Sequence, residues 1–463
     1  MRGSIKKYVI HGFSLFMLFA VSTEIQAQEL TFSEAYAIMN KENTLIKVVE
    51  KQEEIHEFKL KAMKGLRYPS VRAVGVGIYM DRSLGLDFNG LRNGIGDFIH
   101  LPNPEILGDW STKFNKRDMA MGGFMATWPL FTGGKINAAI RAHEIESEMG
   151  EKDLANTKNK LVSELAQRYY QVKLADEAVL VRQTVYDGML KHLHDATKLE
   201  ENGMIAPVEK LSADVAVSEA NRQLVGAKKD AALARVALAN TMEVDEVKDV
   251  LISDFFTASN LESLQHYQSL AVSNYPMLQK VALQKELAEE GVKIKKSSNY
   301  PTVLAFGQTL LVHNNPMPGL DILNNNNKPW TVGVGVSYTL FEGFKNKNEI
   351  RAAKATKESV ELYEHKAQGD IKMLVEKLYK DIEKQEEQIK NLKVQETLAV
   401  EFLRVRTKAF SEGFATSTEV TDAEMNLSGV RLMKLQASYE YAVGVASLFE
   451  YTGLSSEFLQ YTK

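Results

Sequence analysis

One short segment occurs twice in the chain and limits what the chain can fold into. Residues Trp128 to Lys135 read W-P-L-F-T-G-G-K, and Tyr338 to Lys345, 210 positions later, read Y-T-L-F-E-G-F-K. In each copy an alternating run typical of a strand ends in Leu-Phe, passes a glycine and gives way to a long helical pattern. A strand-to-helix junction made twice indicates a duplicated unit. The sequence therefore predicts two repeats with one plan, over residues 28–258 and 259–463.

The composition argues against several classes of protein. Hydrophobic residues make up 44% of the chain and charged residues 25%, which fits neither a disordered polymer nor a bundle of membrane-spanning helices. The formal net charge of −4 argues against a nucleic-acid partner. The chain has no cysteine, so it holds neither a disulfide framework nor a thiolate metal site.

The N-terminal segment has the layout of a secretory signal. Arg2, Lys6 and Lys7 precede an apolar run over residues 8–21, and small and polar residues follow. A permanent anchor helix is the weaker alternative, because this run is too short to span about 30 Å of hydrocarbon at about 1.5 Å per residue. We therefore expect a signal peptide over residues 1–27 and an exported protein.

Helical patterns cover most of the first repeat. Thr31 and Glu34 form a capping box, which starts a helix that runs to about Lys64 and ends before Tyr68-Pro69. Over residues 135–201, apolar side chains recur at spacings of three, four and seven, which predicts one helix of about 100 Å. The pattern then predicts a turn over 202–207, a returning helix over 208–242 and a short irregular segment over 245–258.

The second repeat follows the same plan. We expect Asn260 to cap a helix that resumes after Tyr275-Pro276 and ends at Tyr300-Pro301, 232 positions after Tyr68-Pro69. A long helix over 346–410, a turn over 411–416 and a helix over 417–451 complete the copy.

Four runs alternate between large apolar and small or polar residues, as strands do, over residues 71–80, 119–130, 304–312 and 331–340. Their lengths match the roughly 9 to 11 residues that a tilted strand needs to cross a bilayer. Polar loops join the strands of each repeat over residues 81–117 and 313–329. We predict that the following residues face lipid: Val74, Val76, Ile78, Leu304, Phe306, Val332, Val334 and Val336.

Four such strands cannot close a barrel, because the smallest bacterial barrels have about eight. An open sheet edge in lipid leaves backbone groups unpaired, at a cost of several kcal/mol each. Several copies of the chain must then share one barrel, and the long helices must project into an aqueous compartment. Together these features indicate a conduit.

With these motifs in this order, the chain resembles the TolC-like outer-membrane channels of bacterial efflux and type I secretion systems. The resemblance rests on Pro69 and Pro301, on the two Leu-Phe-x-Gly segments, and on glycine hairpins at Gly203 and Gly413. It implies an α+β membrane protein: a homotrimer with a twelve-stranded β-barrel in outer-membrane lipid and a twelve-helix coiled-coil tunnel in the periplasm. It also implies a periplasmic adaptor, an inner-membrane pump, no enzymatic activity and no cofactor.

The resemblance makes the hairpin tips the candidate adaptor contact. Alternatively, the glycines only supply turn geometry and the apolar residues only pack the hairpins. Near the inner mouth, where some members of the family carry acidic rings, this chain has Glu401, Arg404 and Arg406. We therefore expect a mouth that is weakly cation-selective or even anion-selective. The tip residues are Gly203, Met204, Ile205, Gly413, Phe414 and Ala415.

Two further patterns test other functions. His192 and His194 lie two positions apart on a helix and so point to different faces, which predicts a solvated pair and no metal site. No nucleophile with a base and no H-E-x-x-H motif occurs. The alternative for the whole chain is a soluble periplasmic coiled-coil scaffold or adaptor. The cargo, whether a drug, a metal or a polypeptide, stays open.

Overall fold

The computed structural model of the chain describes residues 29–82, 85–113, 117–256, 261–313 and 330–462. The predicted signal peptide and Asn260 lie outside these residues. The helices are α1 Phe32–Glu42, α2 Thr44–Lys64, α3 Asn89–Phe98, α4 Lys135–Glu201, α5 Pro207–Met242, α6 Leu264–Asn274, α7 Pro276–Lys296, α8 Lys345–Ser411, α9 Ser417–Thr452 and α10 Phe458–Tyr461. The strands are β1 Glu29–Leu30, β2 Ser70–Tyr79, β3 Gly85–Asp87, β4 Ser111–Lys113, β5 Asp118–Phe131, β6 Val250–Leu251, β7 Thr302–Thr309, β8 Leu311–His313 and β9 Trp330–Ser337.

The long helices are as the sequence predicts and have equal lengths in the two repeats. Helices α4 and α8 each contain 67 residues, and α5 and α9 each contain 36. At about 1.5 Å per residue, the longer pair spans about 100 Å. Among the described helices, none has both the length and the apolar character needed to cross a membrane.

The helices form a wall that is four helices wide along its length. Next to the sheet, α2 and α7 pack against α4, and α7 also packs against α8. Towards the hairpin tips, α4 packs against α5 and α9, and α9 packs against α8. The order in the tip half is therefore α5, α4, α9, α8, with α5 and α8 at the two edges.

The first predicted helix is interrupted. The capping box at Thr31 and Glu34 forms as predicted, but Asn43 separates α1 from α2. The Asn43 side-chain oxygen accepts hydrogen bonds from the backbone N–H groups of Leu45 at 3.0 Å and Ile46 at 3.3 Å. A single helix over this region was therefore the wrong prediction, because Asn43 caps a new helix. In the second repeat, Ser263 caps α6.

The four predicted strands form one antiparallel sheet in the order β2, β5, β7, β9. Strand β8 continues the β7 register against β5, since Met125 faces Gln308 and Met121 faces Val312. Among the described strands, β2 and β9 each have a partner on one side only. The sheet therefore ends in two open edges.

The loop between β2 and β5 has more structure than the sequence predicts. It contains α3, a 3-10 turn over Pro104–Leu107 and a short ladder of β3 with β4. Arg92 of α3 is buried and donates a hydrogen bond to the Gly108 carbonyl at 2.6 Å. The described part of this loop is thus a small folded unit.

Left-handed backbone makes the turn from the sheet into each long helix. In the first repeat, Gly133 and Gly134 have φ angles of 62° and 85°. In the second, Gly343 and Phe344 have φ angles of 57° and 63°. A side chain on Gly133 would place its Cβ 2.6 Å from the Ser297 carbonyl oxygen. Both the positive φ angle and the lack of space therefore require glycine at this position.

The main core joins the first and last described segments to the middle of α4. The Tyr169 hydroxyl donates to the Leu30 carbonyl at 2.6 Å and accepts from the Ser253 N–H at 3.1 Å. The Ser253 hydroxyl donates to the Thr462 carbonyl at 2.9 Å. Strand β6, which pairs with β1 in parallel, lies in the segment that the sequence predicts as irregular.

Two adjacent tyrosines make a matched test of this core. Tyr169→Phe removes a hydroxyl that serves two backbone groups, so we expect the free energy of unfolding to fall by about 1–3 kcal/mol. The buried Tyr170 hydroxyl has no hydrogen-bond partner among the described residues, so Tyr170→Phe should be neutral or stabilising. Thermal unfolding in detergent measures both. Equal losses in the two variants would contradict the assigned role of Tyr169.

Candidate functional site

The two hairpin tips have the same backbone turn. Gly203 and Gly413 adopt φ angles of 71° and 81°, in the left-handed region. The Met204 N–H donates to the Leu199 carbonyl at 2.8 Å, and the Phe414 N–H donates to the Ala409 carbonyl at 2.8 Å. These bonds close each helix end in the way that a C-terminal glycine allows.

The apolar tip residues divide into exposed and packed positions. Met204 is 61% exposed and Phe414 is 83% exposed, at equivalent places of the two repeats. Ile205 and Ala415 instead pack onto a small buried cluster that contains Phe410 and three other residues. The six candidate tip residues therefore have three roles: the glycines turn the chain, one pair packs the tip, and Met204 and Phe414 present apolar surface.

Hydrogen bonds join the two hairpins just behind the tips. His192 Nε2 of α4 shares a hydrogen bond with Ser417 Oγ of α9 at 2.6 Å, and the Ser417 N–H donates to Glu209 Oε2 of α5 at 2.7 Å. The His192 ring lies 4.6 Å from the Phe410 ring, centroid to centroid. The first residue of α9 is thus held by both helices of the first hairpin.

His192 is buried, so the expectation of a solvated histidine pair was wrong for this residue, while His194 is exposed. The sequence gives one clue to the contact, because Thr416 and Glu419 form a capping box that starts α9 at this place. Helix spacing alone does not show that a second hairpin covers His192. No group of potential metal ligands occurs among the described residues.

The candidate mouth residues are paired with opposite charges. The Arg404 guanidinium donates two hydrogen bonds to the Glu401 carboxylate, at 2.7 and 2.9 Å, and this pairing lowers the pKa of Glu401. Arg406 Nη1 donates to Glu419 Oε1 at 2.9 Å. Each guanidinium at this level therefore has its own carboxylate. This arrangement agrees with weak charge selectivity, which stays a prediction.

The sheet has two different faces, which the strand register defines. Ser70 Oγ lies 2.9 Å from Thr127 Oγ1, which shows that directly paired residues share a face. We call one side the arginine face, and its residues include Arg72, Val74, Val76, Ile78, Met121, Met125, Leu304, Phe306 and Gln308. We call the other side the tryptophan face, and its residues include Val71, Ala73, Phe124, Ala126, Trp128, Ala305, Trp330, Val332, Val334 and Val336.

The eight residues predicted to face lipid do not share a face. Val332, Val334 and Val336 lie on the tryptophan face, because Val334 pairs with Ala305 and Val332 pairs with Gly307. The other five lie on the arginine face: Val74, Val76, Ile78, Leu304 and Phe306. A single lipid-facing set of eight is therefore excluded by the register, since neighbouring residues of a strand point to opposite sides.

An antiparallel sheet of membrane-crossing length, continued by a wall of paired 67-residue helices, defines an outer-membrane channel subunit with a helical extension. The sequence model of the outer membrane efflux protein family matches residues 103–242 and 268–454, more than half of the chain. The chain belongs to this family. No curated protein sequence matches it significantly.

Solved structures of outer-membrane channels share the fold. The chain is similar to VceC from Vibrio cholerae, with a TM-score of 0.73, 14% identity and coverage of 91% of this chain and 96% of that one. It is also similar to the open state of MtrE from Neisseria gonorrhoeae, with a TM-score of 0.73, 14% identity and coverage of 92% and 89%. For CmeC from Campylobacter jejuni the TM-score is 0.70, at 14% identity, with coverage of 92% and 86%.

The family assignment and the shared fold confirm the predicted fold class and location. The protein lies in the outer membrane, and its helices extend into the periplasm. The family transports material outward and is not a family of enzymes.

The buried histidine predicts a pH-dependent tip. Burial lowers the pKa of His192, and the carboxylates of Asp195 and Glu209 only partly oppose this. The unfolded tip therefore binds a proton more readily than the folded tip, so the stability of the tip falls as the pH drops through about 6.5. We expect hydrogen exchange near Ser417, corrected for its intrinsic pH dependence, to speed up between about pH 7.5 and 5.5.

Two histidine variants form the matched pair for this experiment. His192→Gln should remove most of the pH dependence, because glutamine does not titrate. His194→Gln changes an exposed side chain and should leave the pH dependence as it is. Identical pH profiles for the unchanged protein and His192→Gln would contradict the assignment.

Proposed function

We propose that this protein is the passive outer-membrane conduit of a tripartite export system and that three copies form one channel. The observation that supports this most directly is the open sheet. Strands β2 and β9 each leave one edge without a partner strand among the described residues. In hydrocarbon those backbone groups need partners. Pairing of β9 in one copy with β2 in the next satisfies both edges by one repeated contact.

The helical wall has matching edges. Helix α5 at one edge carries exposed apolar residues, including Leu211, Val215 and Leu233. Helix α8 at the other edge does the same, with Met373 and Leu398 among them. Apolar side chains on both edge helices favour contact between α5 of one copy and α8 of the next. The open edges of the sheet and the apolar edges of the helical wall thus favour contact with the same neighbouring copy.

The size of the passage favours three copies over two. Counting β7 and β8 as one strand, two copies give an eight-stranded barrel, and an interior of that size is just wide enough for side chains to fill. Three copies give twelve strands and leave an open lumen, as the family resemblance implies. In this assembly we expect the charged and amide side chains in the middle of the membrane-crossing strands to face the lumen of the barrel.

We assign the tryptophan face to lipid. Its polar side chains collect at the outer end, where Tyr79 is paired with Asp118 and His313 Nε2 lies 3.5 Å from Asp118 Oδ2, while Trp128 marks the opposite end. An apolar band with aromatic residues near its ends is typical of the lipid side of outer-membrane barrels. Val332, Val334 and Val336 then meet lipid, and the other five predicted residues face the lumen.

The tips supply the surface for a periplasmic adaptor, which links the channel to an inner-membrane pump that provides the energy. Met204 and Phe414 support this role, because each copy presents one at each of two equivalent tips. Three copies then offer six apolar points in a ring. A soluble periplasmic scaffold fits less well, since the family resides in the outer membrane.

Charges on the edge helices test the assembly. Leu211→Glu on α5 and Leu398→Glu on α8 each place a carboxylate in the proposed contact, so we expect trimers to give way to monomers and channel currents in planar bilayers to be lost. Leu180→Glu is the control, because Leu180 is similarly exposed but lies on α4, which is not an edge helix of the wall. Native mass spectrometry measures the state of each variant. Trimers that persist in both edge variants would contradict the proposal.

The tip residues test recruitment of the adaptor. The double variant Met204→Gln, Phe414→Gln should lower recovery of the adaptor with a tagged channel about tenfold or more, since each buried apolar side chain contributes about 1.5–3 kcal/mol. Its melting temperature should stay unchanged, because both side chains are exposed. Leu180→Gln serves as the control away from the tips. Undiminished recovery of the adaptor would show that these two residues are not the contact.

A further inference from the structure

The arginine face carries a feature that the export role alone does not require, and the inference from it rests on the proposed function. With the tryptophan face in lipid, the arginine face lines the passage. The lumen of an outer-membrane channel of this kind is ordinarily polar. Here most of the lining side chains are apolar: Val74, Val76, Ile78, Met121, Met125 and Phe306.

A pocket of about 240 Å³ lies where β2 and β5 meet the junction of β7 and β8. Val74, Val76, Met121 and Met125 line it from the arginine face around Gly123, and Phe124 contributes from the opposite face. The close approach of the Thr309 and Leu310 backbone leaves no room for a side chain at Gly123. The backbone itself therefore shapes this depression in the sheet. Its volume is slightly smaller than that of pockets for drug-sized molecules, which begin at about 300 Å³.

One row of residues lies at the end of the pocket nearer the helices; two of its members, Met125 and Gln308, line the pocket, and Arg72 is their neighbour in the row. Arg72 of β2, Met125 of β5 and Gln308 of β7 are paired across the three strands. Arg72 is the one charged side chain among the residues that the strand pairings place on the arginine face, and it makes no hydrogen bond or ion pair with another described residue. A guanidinium without a partner beside an apolar pocket is complementary to an amphipathic anion.

We propose that this pocket is a transit site for amphipathic organic anions. The apolar body of the cargo lies against Val74, Val76 and Met121, and its carboxylate pairs with Arg72. Such a site slows the cargo without trapping it, because a conduit needs binding that is weak enough for release. Three copies place three such sites around the lumen.

Current block in planar bilayers tests the site with two simple probes of opposite charge. Decanoate should block the trimeric channel at a concentration about tenfold lower than decyltrimethylammonium does. Arg72→Gln should raise the half-blocking concentration of decanoate about tenfold and leave that of the cation nearly unchanged, and Arg72→Lys should restore part of the difference. Val76→Thr, which keeps the shape but adds a hydroxyl, should weaken block by both probes several-fold.

Matched controls separate the possible failures. Val332→Thr makes the same substitution on the tryptophan face and should not affect block. The unblocked conductance of each variant reports whether it folds and assembles. Because the chain has no cysteine, Val76→Cys and Val332→Cys can also be compared directly. A water-soluble maleimide should label Val76→Cys and not Val332→Cys in membranes.

The outcomes distinguish this inference from the proposed function. Absence of any channel current from the unchanged protein overturns the proposed function itself. Normal currents that both probes block equally in every variant overturn the transit site alone. Labelling of Val332→Cys instead of Val76→Cys reverses the two faces and also overturns the transit site.

Discussion

The structure depends on a requirement of the bilayer: every backbone N–H and C=O group in hydrocarbon needs a hydrogen-bond partner. Within the part of the chain that the structure describes, the sheet satisfies this between its strands but not at the outer edges of β2 and β9. The sheet is therefore an arc of a larger barrel. The helical wall also has two incomplete edges, because α5 and α8 at its sides carry exposed apolar residues. The proposed contact between copies completes both layers.

Because the chain is duplicated, the periplasmic end of the proposed conduit is formed by equivalent hairpins. Each repeat contributes two of the four membrane-crossing strands and one hairpin of 67 and 36 residues. Since the lengths match, the hairpins end together, and Met204 and Phe414 occupy equivalent places. The bond between His192 and Ser417 then holds the second hairpin against the first. The short left-handed turns after the sheet set the direction of both long helices.

The sequence predicts the long helices and the strands well, because sustained periodicity depends on burial of one face. It misses features that rest on contacts between distant residues. The Asn43 side chain caps the start of α2, whereas the corresponding helix of the second repeat, α7, begins at Pro276, which the sequence shows directly. The burial of His192 depends on a second hairpin. The fold of α3 in the first loop depends on Arg92 reaching Gly108.

The sheet faces show the same limit. Alternation within one strand separates its two sides, but only the register between strands shows which sides coincide. Phe306 pairs with Gly333, so the large residues of β7 and β9 lie on opposite faces. A residue pattern that reads as one apolar set therefore lies on two opposite faces of the sheet.

The most direct test of the central claim is an electron cryo-microscopy structure of the protein in lipid nanodiscs. The account predicts three copies around one axis, with β9 of each copy hydrogen-bonded to β2 of the next and Val334 against lipid. A sheet that closes within one chain, or a barrel whose copies meet through other strands, would contradict it.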